Sequence, residues 1–254
     1  MSENENLETT EGRWWSEPKF VMCAVAIALG LILAIVLLLF PTREDQPAAE
    51  SETSEPVTEA PADDAGDSDS ESVCGLDGND ETSIDKAPKA SWDQAIGGIS
   101  VPVSEDHGPG ERDESTGVRS CFAHSPEGAV LAAANLVTAS GDPDVLRATT
   151  EQRAVDNPGK DVALEQLAQD AGGSAPPMQV AGFRLLSYDQ ETATVEVVMQ
   201  IETSDEPVLI TTGADLVWTD GDWHARYKDD GSGGPVSGEV SSLSGYTTWG
   251  PNDG

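Results

Sequence analysis

Three histidines, three cysteines and a large excess of carboxylates are the residues of this sequence with chemistry to offer. His107, His124 and His224 show no spacing that points to a shared metal site. His107 lies in a Gly-Pro loop, and His224 on the outward side of an expected strand. His124 stands just ahead of a helix start, where a positive imidazolium gains nothing from the helix dipole. Each reads as a surface or capping residue. Cys121 and His124 are close enough in sequence for a nucleophile and its base, but that role requires a free thiol, and a disulfide competes for the same sulfur. Alternating acids at Asp67, Asp69 and Glu71, and at Asp77, Asn79 and Glu81, invite a calcium loop. Such a loop wants Gly at its sixth position, and Ser72 and Thr82 stand there instead. No phosphate loop or nucleophile elbow is present. An acid–base pocket inside the fold would draw on Asn135 and Asp215. The structural alternative has Asn135 bonding to backbone and Asp215 solvated. The sequence therefore reads as non-catalytic, with no catalytic residue, cofactor or metal site assigned.

The cysteines separate by position. Cys23 lies inside an apolar run and reads as a small apolar residue. Cys74 and Cys121 lie beyond that run, where an oxidising compartment is open to them. One disulfide between them would be worth roughly 4 kcal/mol on a chain-entropy estimate; two free thiols is the other reading. Acidic residues number 47 against 13 basic ones, a formal net charge of −34. That balance argues against nucleic acid as a partner and against docking on anionic headgroups, since both need clustered Lys and Arg. It favours solubility and self-repulsion, or an acidic tether that attracts a basic partner.

Four segments must position these residues. Residues 1–19 form a short acidic tail. Residues 20–40, FVMCAVAIALGLILAIVLLLF, carry no charge and are long enough as a helix to span roughly 30 Å of hydrocarbon. Trp14 and Trp15 precede the run at interfacial depth, and Pro41 ends it. The stretch exceeds a signal-peptide core, and no small-x-small site follows directly, so an uncleaved anchor is expected. Arg13 and Lys19 on one side against Arg43 on the other place the N-terminus in the cytoplasm. Ala24, Ala26, Ala28 and Gly30 offer small-residue spacings through which anchors could pair as a homo-oligomer. Residues 41–86 are rich in Glu, Asp, Ser, Thr, Ala and Pro, and predict a disordered acidic linker.

Residues 87–254 predict the folded, extracytoplasmic part. Ser125-Pro126-Glu127 is a helix start, and the chain from Gly128 to Val137 is small and apolar except for Asn135, so that helix should be buried. Asp142-Pro143 opens a second short helix through about Thr149. A third begins near Asp161, with Leu164, Leu167, Ala168 and Ala171 in one stripe. The pattern then switches to a period of two. Strands are expected over Met178–Tyr188, across Ala193 to Ile201, over Val208–Trp218 and over Trp223–Lys228, the last two joined by a tight Asp220-Gly221 turn. Val198 breaks the alternation, which implies a partly covered outer face. Val240, Leu243, Tyr246 and Trp249 could dock on the core. The expected class is α+β: an N-terminal transmembrane helix, a disordered acidic linker, and a small cone-shaped domain of about three helices on a curved four-stranded antiparallel sheet.

That order of elements resembles the cystatin-like, nuclear transport factor 2-like cone, and LVWTDGDWHARY is similar to that superfamily's last hairpin. With an N-terminal anchor it resembles the bitopic scaffold proteins of type IV secretion and conjugation. SVPVSEDHGP followed by CFAHSPEGAVLAAANL resembles single-pass membrane proteins of actinobacterial conjugative and integrative elements. The resemblance covers roughly Trp92 to Trp249, and its motifs are apolar and structural. It implies an assembly or scaffold protein in the cell membrane with other membrane or secretion-complex proteins as partners. The alternative is a small-ligand-binding module that uses the cone cavity.

Overall fold

The computed structural model describes residues 71–169, 176–235 and 238–251. The apolar run at 20–40 lies outside them, and among the described residues no helix is long and apolar enough to cross a membrane.

The lead-in is tied to the domain from its first described residues. Val73 N–H donates to the Gly221 carbonyl at 2.8 Å, and Asn79 N–H to that of His124 at 3.1 Å. Cys74 and Cys121 are joined by a disulfide with Cα atoms 6.0 Å apart. Ile84, Ala87, Ala90 and Trp92 pack against the core. Residues 71–86, assigned from composition to the linker, thus run along the domain. Two small antiparallel ribbons follow: β1 (Ser91–Ile96) with β2 (Ile99–Val103), and β3 (Glu111–Arg112) with β4 (Arg119–Ser120).

Three α-helices come next: α1 (Pro126–Thr138), α2 (Pro143–Arg153) and α3 (Pro158–Gln169). Ser125 Oγ caps α1 by accepting from Gly128 N–H at 3.0 Å. A Cβ on Gly128 would collide with the Ala123 carbonyl, so the tight entry to this helix requires glycine. Asp142 caps α2, its Oδ1 accepting from Asp144 N–H at 2.9 Å. Helix α1 is buried on nearly every face, as its composition demands. One side meets β2 and the other meets the main sheet.

That sheet is antiparallel and has six strands: β5 (Met178–Tyr188), β6 (Thr192–Ile201), β7 (Val208–Thr219), β8 (Asp222–Ala225), β9 (Gly238–Val240) and β10 (Thr247–Thr248). Its order is β10-β5-β6-β7-β8, and β9 also pairs with β7. β7 gives one edge to β6 over Val208–Val217. Its other edge is shared, Leu216–Thr219 pairing with β8 and Leu209–Thr211 with β9. Between β7 and β8, Asp220 and Gly221 have φ of 54° and 74°, the left-handed pair that a two-residue hairpin turn requires.

The expectation of a cone built on a four-stranded sheet is corrected here: the sheet has six strands, and two ribbons precede the helices. The two additional strands come from the Gly- and Ser-rich tail. Their two or three residues carry no strand pattern of their own and are recruited by free edges of β5 and β7.

The sheet is covered on both faces. Inward, Phe183, Ala193, Val195, Val197, Met199, Ala214 and Leu216 form the core with α1 and Trp223. Outward, Glu196 and Val198 are also buried. The tail crosses there, with Pro235 against Gly213, Leu243 against Gly182, and Tyr246 under the Arg184 guanidinium at 4.7 Å. Beyond β10, Trp249 turns inward, 5 % exposed, against Trp92 and Phe183, and its indole N–H donates to the Pro88 carbonyl at 3.1 Å.

Candidate functional site

Several of the domain's buried polar groups come together where β4, α1, α2 and β8 meet. Asp222 opens β8 and is 1 % exposed. Its carboxylate accepts from the backbone N–H groups of Cys121 (2.6 Å), Phe122 (2.9 Å) and Trp223 (2.8 Å). It also pairs with Arg153, the last residue of α2. Two successive amides held by one carboxylate fix Cys121 at φ 65°, a conformation that a non-glycine residue adopts only when its surroundings impose it.

Beside this anchor is a cavity of about 20 Å³ with Arg119, Asn135, Thr149 and Arg153 in its wall among apolar neighbours such as Phe122 and Trp223. Arg119, on β4, is 8 % exposed, and only its Nη1 finds a carboxylate, Asp93 Oδ2 at 3.5 Å. Nε and Nη2 of Arg119 are buried without a partner, and so is Nε of Arg153. Burial pushes the Arg119 guanidinium below its ordinary pKa and nearby Arg112 adds to this, while Asp93 opposes both. Asn135, from α1, donates through Nδ2 to the Pro102 carbonyl at 3.0 Å and to that of Leu131 at 2.9 Å. Two carbonyl acceptors fix the amide's orientation, which leaves Oδ1 as a buried acceptor with no partner. The arrangement offers buried N–H donors, one carbonyl oxygen and the Thr149 hydroxyl around a small cavity walled by two arginines. It can hold a small polar or anionic group.

The residues singled out from the sequence scatter around this site. Asn135 does bond to backbone and lines the cavity. Asp215 is distant from it in role: it accepts from Thr194 Oγ1 at 2.9 Å and pairs with Lys228 at 3.5 Å. Cys121 is bonded to Cys74, so the Cys121–His124 pair has no free thiol. His124 is not a simple surface residue. Its ring stacks on Trp218 with centroids 4.0 Å apart and meets the Gln190 carbonyl through Nε2 at 2.7 Å. His224 is half-buried, and its pKa is lowered by burial first and then by Arg153. His107 and Glu127 line an open, largely acidic cleft of about 740 Å³. Asp67 and Asp69 lie outside the described residues. Asn79 uses its Oδ1 to accept Glu81 N–H at 3.0 Å. Among the described residues no group of three His, Cys, Asp or Glu side chains is arranged to hold a metal ion. Arg119 and Arg153 went unnoticed in the sequence. The signal that bears on them is that each is one of only 13 basic residues in so acidic a chain.

A family model described as a domain of unknown function (DUF8175) matches residues 52–248. The chain belongs to this family. The matched span takes in the three described α-helices, the six-stranded sheet and every residue of the arginine cavity. No curated protein and no solved structure matches the chain.

Proposed function

We propose that this is a membrane-anchored, non-catalytic assembly or scaffold protein of a conjugation or secretion apparatus, with its folded domain on the extracytoplasmic side. The observation that carries the reading is the Cys74–Cys121 disulfide in a domain that follows the uncharged run at 20–40. Disulfides persist in oxidising compartments, and a span-length apolar run would deliver the chain to one. Flanking Arg13 and Lys19 favour a cytoplasmic N-terminus. The conjugative context rests on the sequence resemblance.

Topology is tested with the full-length protein in intact cells, where added protease should remove the domain and leave the N-terminal tail protected. Protection of the domain instead would reverse the orientation. Partnership is tested by co-purification with neighbouring transfer proteins and by deletion. A strictly monomeric protein whose loss leaves DNA transfer unchanged defeats the scaffold reading. The alternative, a ligand module, has two openings beside α1 to draw on: the arginine cavity, and a cleft of about 270 Å³ lined by Leu136, Val137, Leu167, Thr212 and Tyr227.

A further inference from the structure

We propose that the cavity walled by Arg119, Arg153 and Asn135 is a binding site for one small monovalent anion. This inference is independent of the membrane tether. Nε and Nη2 of one guanidinium present parallel N–H groups, a fork that matches an anionic acceptor. On Arg119 that whole fork is buried and unpartnered, with Nε of Arg153 a third unused donor beside it. Charge decides between an anion and a water molecule. Arg153 is matched by Asp222, but the carboxylate nearest Arg119 belongs to Asp93, which is 57 % exposed and reaches only Nη1, at 3.5 Å. A water could accept from two of the N–H groups and donate to Asn135 Oδ1, which an anion cannot do, but it leaves a buried positive charge poorly compensated, and an unpaired charge costs more than one unpaired carbonyl oxygen. The cavity is small, with room on the scale of one or two waters, which suits a small anion such as chloride or formate.

The test uses full-length protein in detergent at constant sodium, with chloride, formate or gluconate as the anion. Constant sodium holds cation screening fixed, and a net charge of −34 disfavours loose anion accumulation at the surface. Chloride and formate should raise the melting temperature by a few degrees over gluconate, and the rise should saturate. Arg119→Gln should abolish the difference, and Arg119→Lys, which keeps the charge without the fork, should retain only part of it. Identical melting in the three salts, or an unchanged chloride effect in Arg119→Gln, overturns the proposal in favour of a trapped water. Chloride NMR line widths settle the matter without a variant: the wild-type protein should broaden the line and formate should reverse it. Broadening that formate leaves untouched counts against the site.

Discussion

Asp222 concentrates more structural consequence than any other single side chain described here, because four donors depend on one buried carboxylate. Replacing it with Ala leaves the Arg153 charge without its counterion and frees the backbone at Cys121. Loss of one partner from a buried pair typically costs about 3–5 kcal/mol. Denaturant unfolding of Asp222→Ala against wild type should read a loss of that size, and a near-neutral result would mean that the pair is solvated. His224, two residues on, gives a pH signature. Its folded pKa is depressed below the ordinary 6.5, chiefly by burial. The unfolded chain therefore binds the proton more readily. The stability tied to the neutral ring is fully present above about pH 6.5 and declines as pH falls from there toward the folded pKa. Many carboxylates titrate in the same acid range, so the comparison is with His224→Gln. The two proteins should differ in melting temperature by one amount at about pH 7.5, and the wild type should lose ground to the variant at about pH 5. A pH-independent difference would show that the ring titrates alike folded and unfolded.

At the scale of elements, local signals and tertiary recruitment divide what the sequence could show. The Ser125-Pro126 cap, the small apolar run behind it and the Asp220-Gly221 turn each encode their geometry within a few residues, and they were legible. Ser125→Ala should therefore cost about 1 kcal/mol through loss of the bond to Gly128 N–H. β9 and β10 were not legible, since a Gly-Ser tail becomes strand only where an edge is offered. Residues 71–86 were hidden for a related reason. Their composition is that of a solvated chain, yet a disulfide and a handful of backbone bonds secure them. With a sequence separation of 47, reduction of Cys74–Cys121 should lower stability by roughly 4 kcal/mol on a chain-entropy estimate. Melting curves with and without reductant, and of the Cys74→Ser/Cys121→Ser double variant, should agree on the size of the loss. The arginine cavity was invisible for a different reason: Arg119 and Arg153 are 34 positions apart in numbering, and only tertiary packing, α2 against β8 among it, brings them to one cavity.

At the scale of the whole molecule, the beginning and end of the described chain close on each other. Trp249 touches Trp92, bonds to Pro88 and packs on Phe183, so one side chain couples the lead-in, the tail and the sheet. Trp249→Ala should cost about 3–5 kcal/mol as a large-to-small core substitution. Hydrogen exchange should show faster exchange at β10 and at the Pro88–Trp92 segment together, whereas acceleration confined to β10 would mean that the two ends are held separately.

The position of the disulfide has a mechanical consequence. A pull on the chain ahead of Cys74 does not peel the lead-in residue by residue. The load crosses the sulfur bridge to Cys121 and from there, through its amide, to the Asp222 anchor on the sheet. Everything between the two cysteines is shielded from tension. Stretched from its ends, the oxidised protein should reach a contour length about 160 Å shorter than the reduced one, at about 3.4 Å for each of the 47 shielded steps.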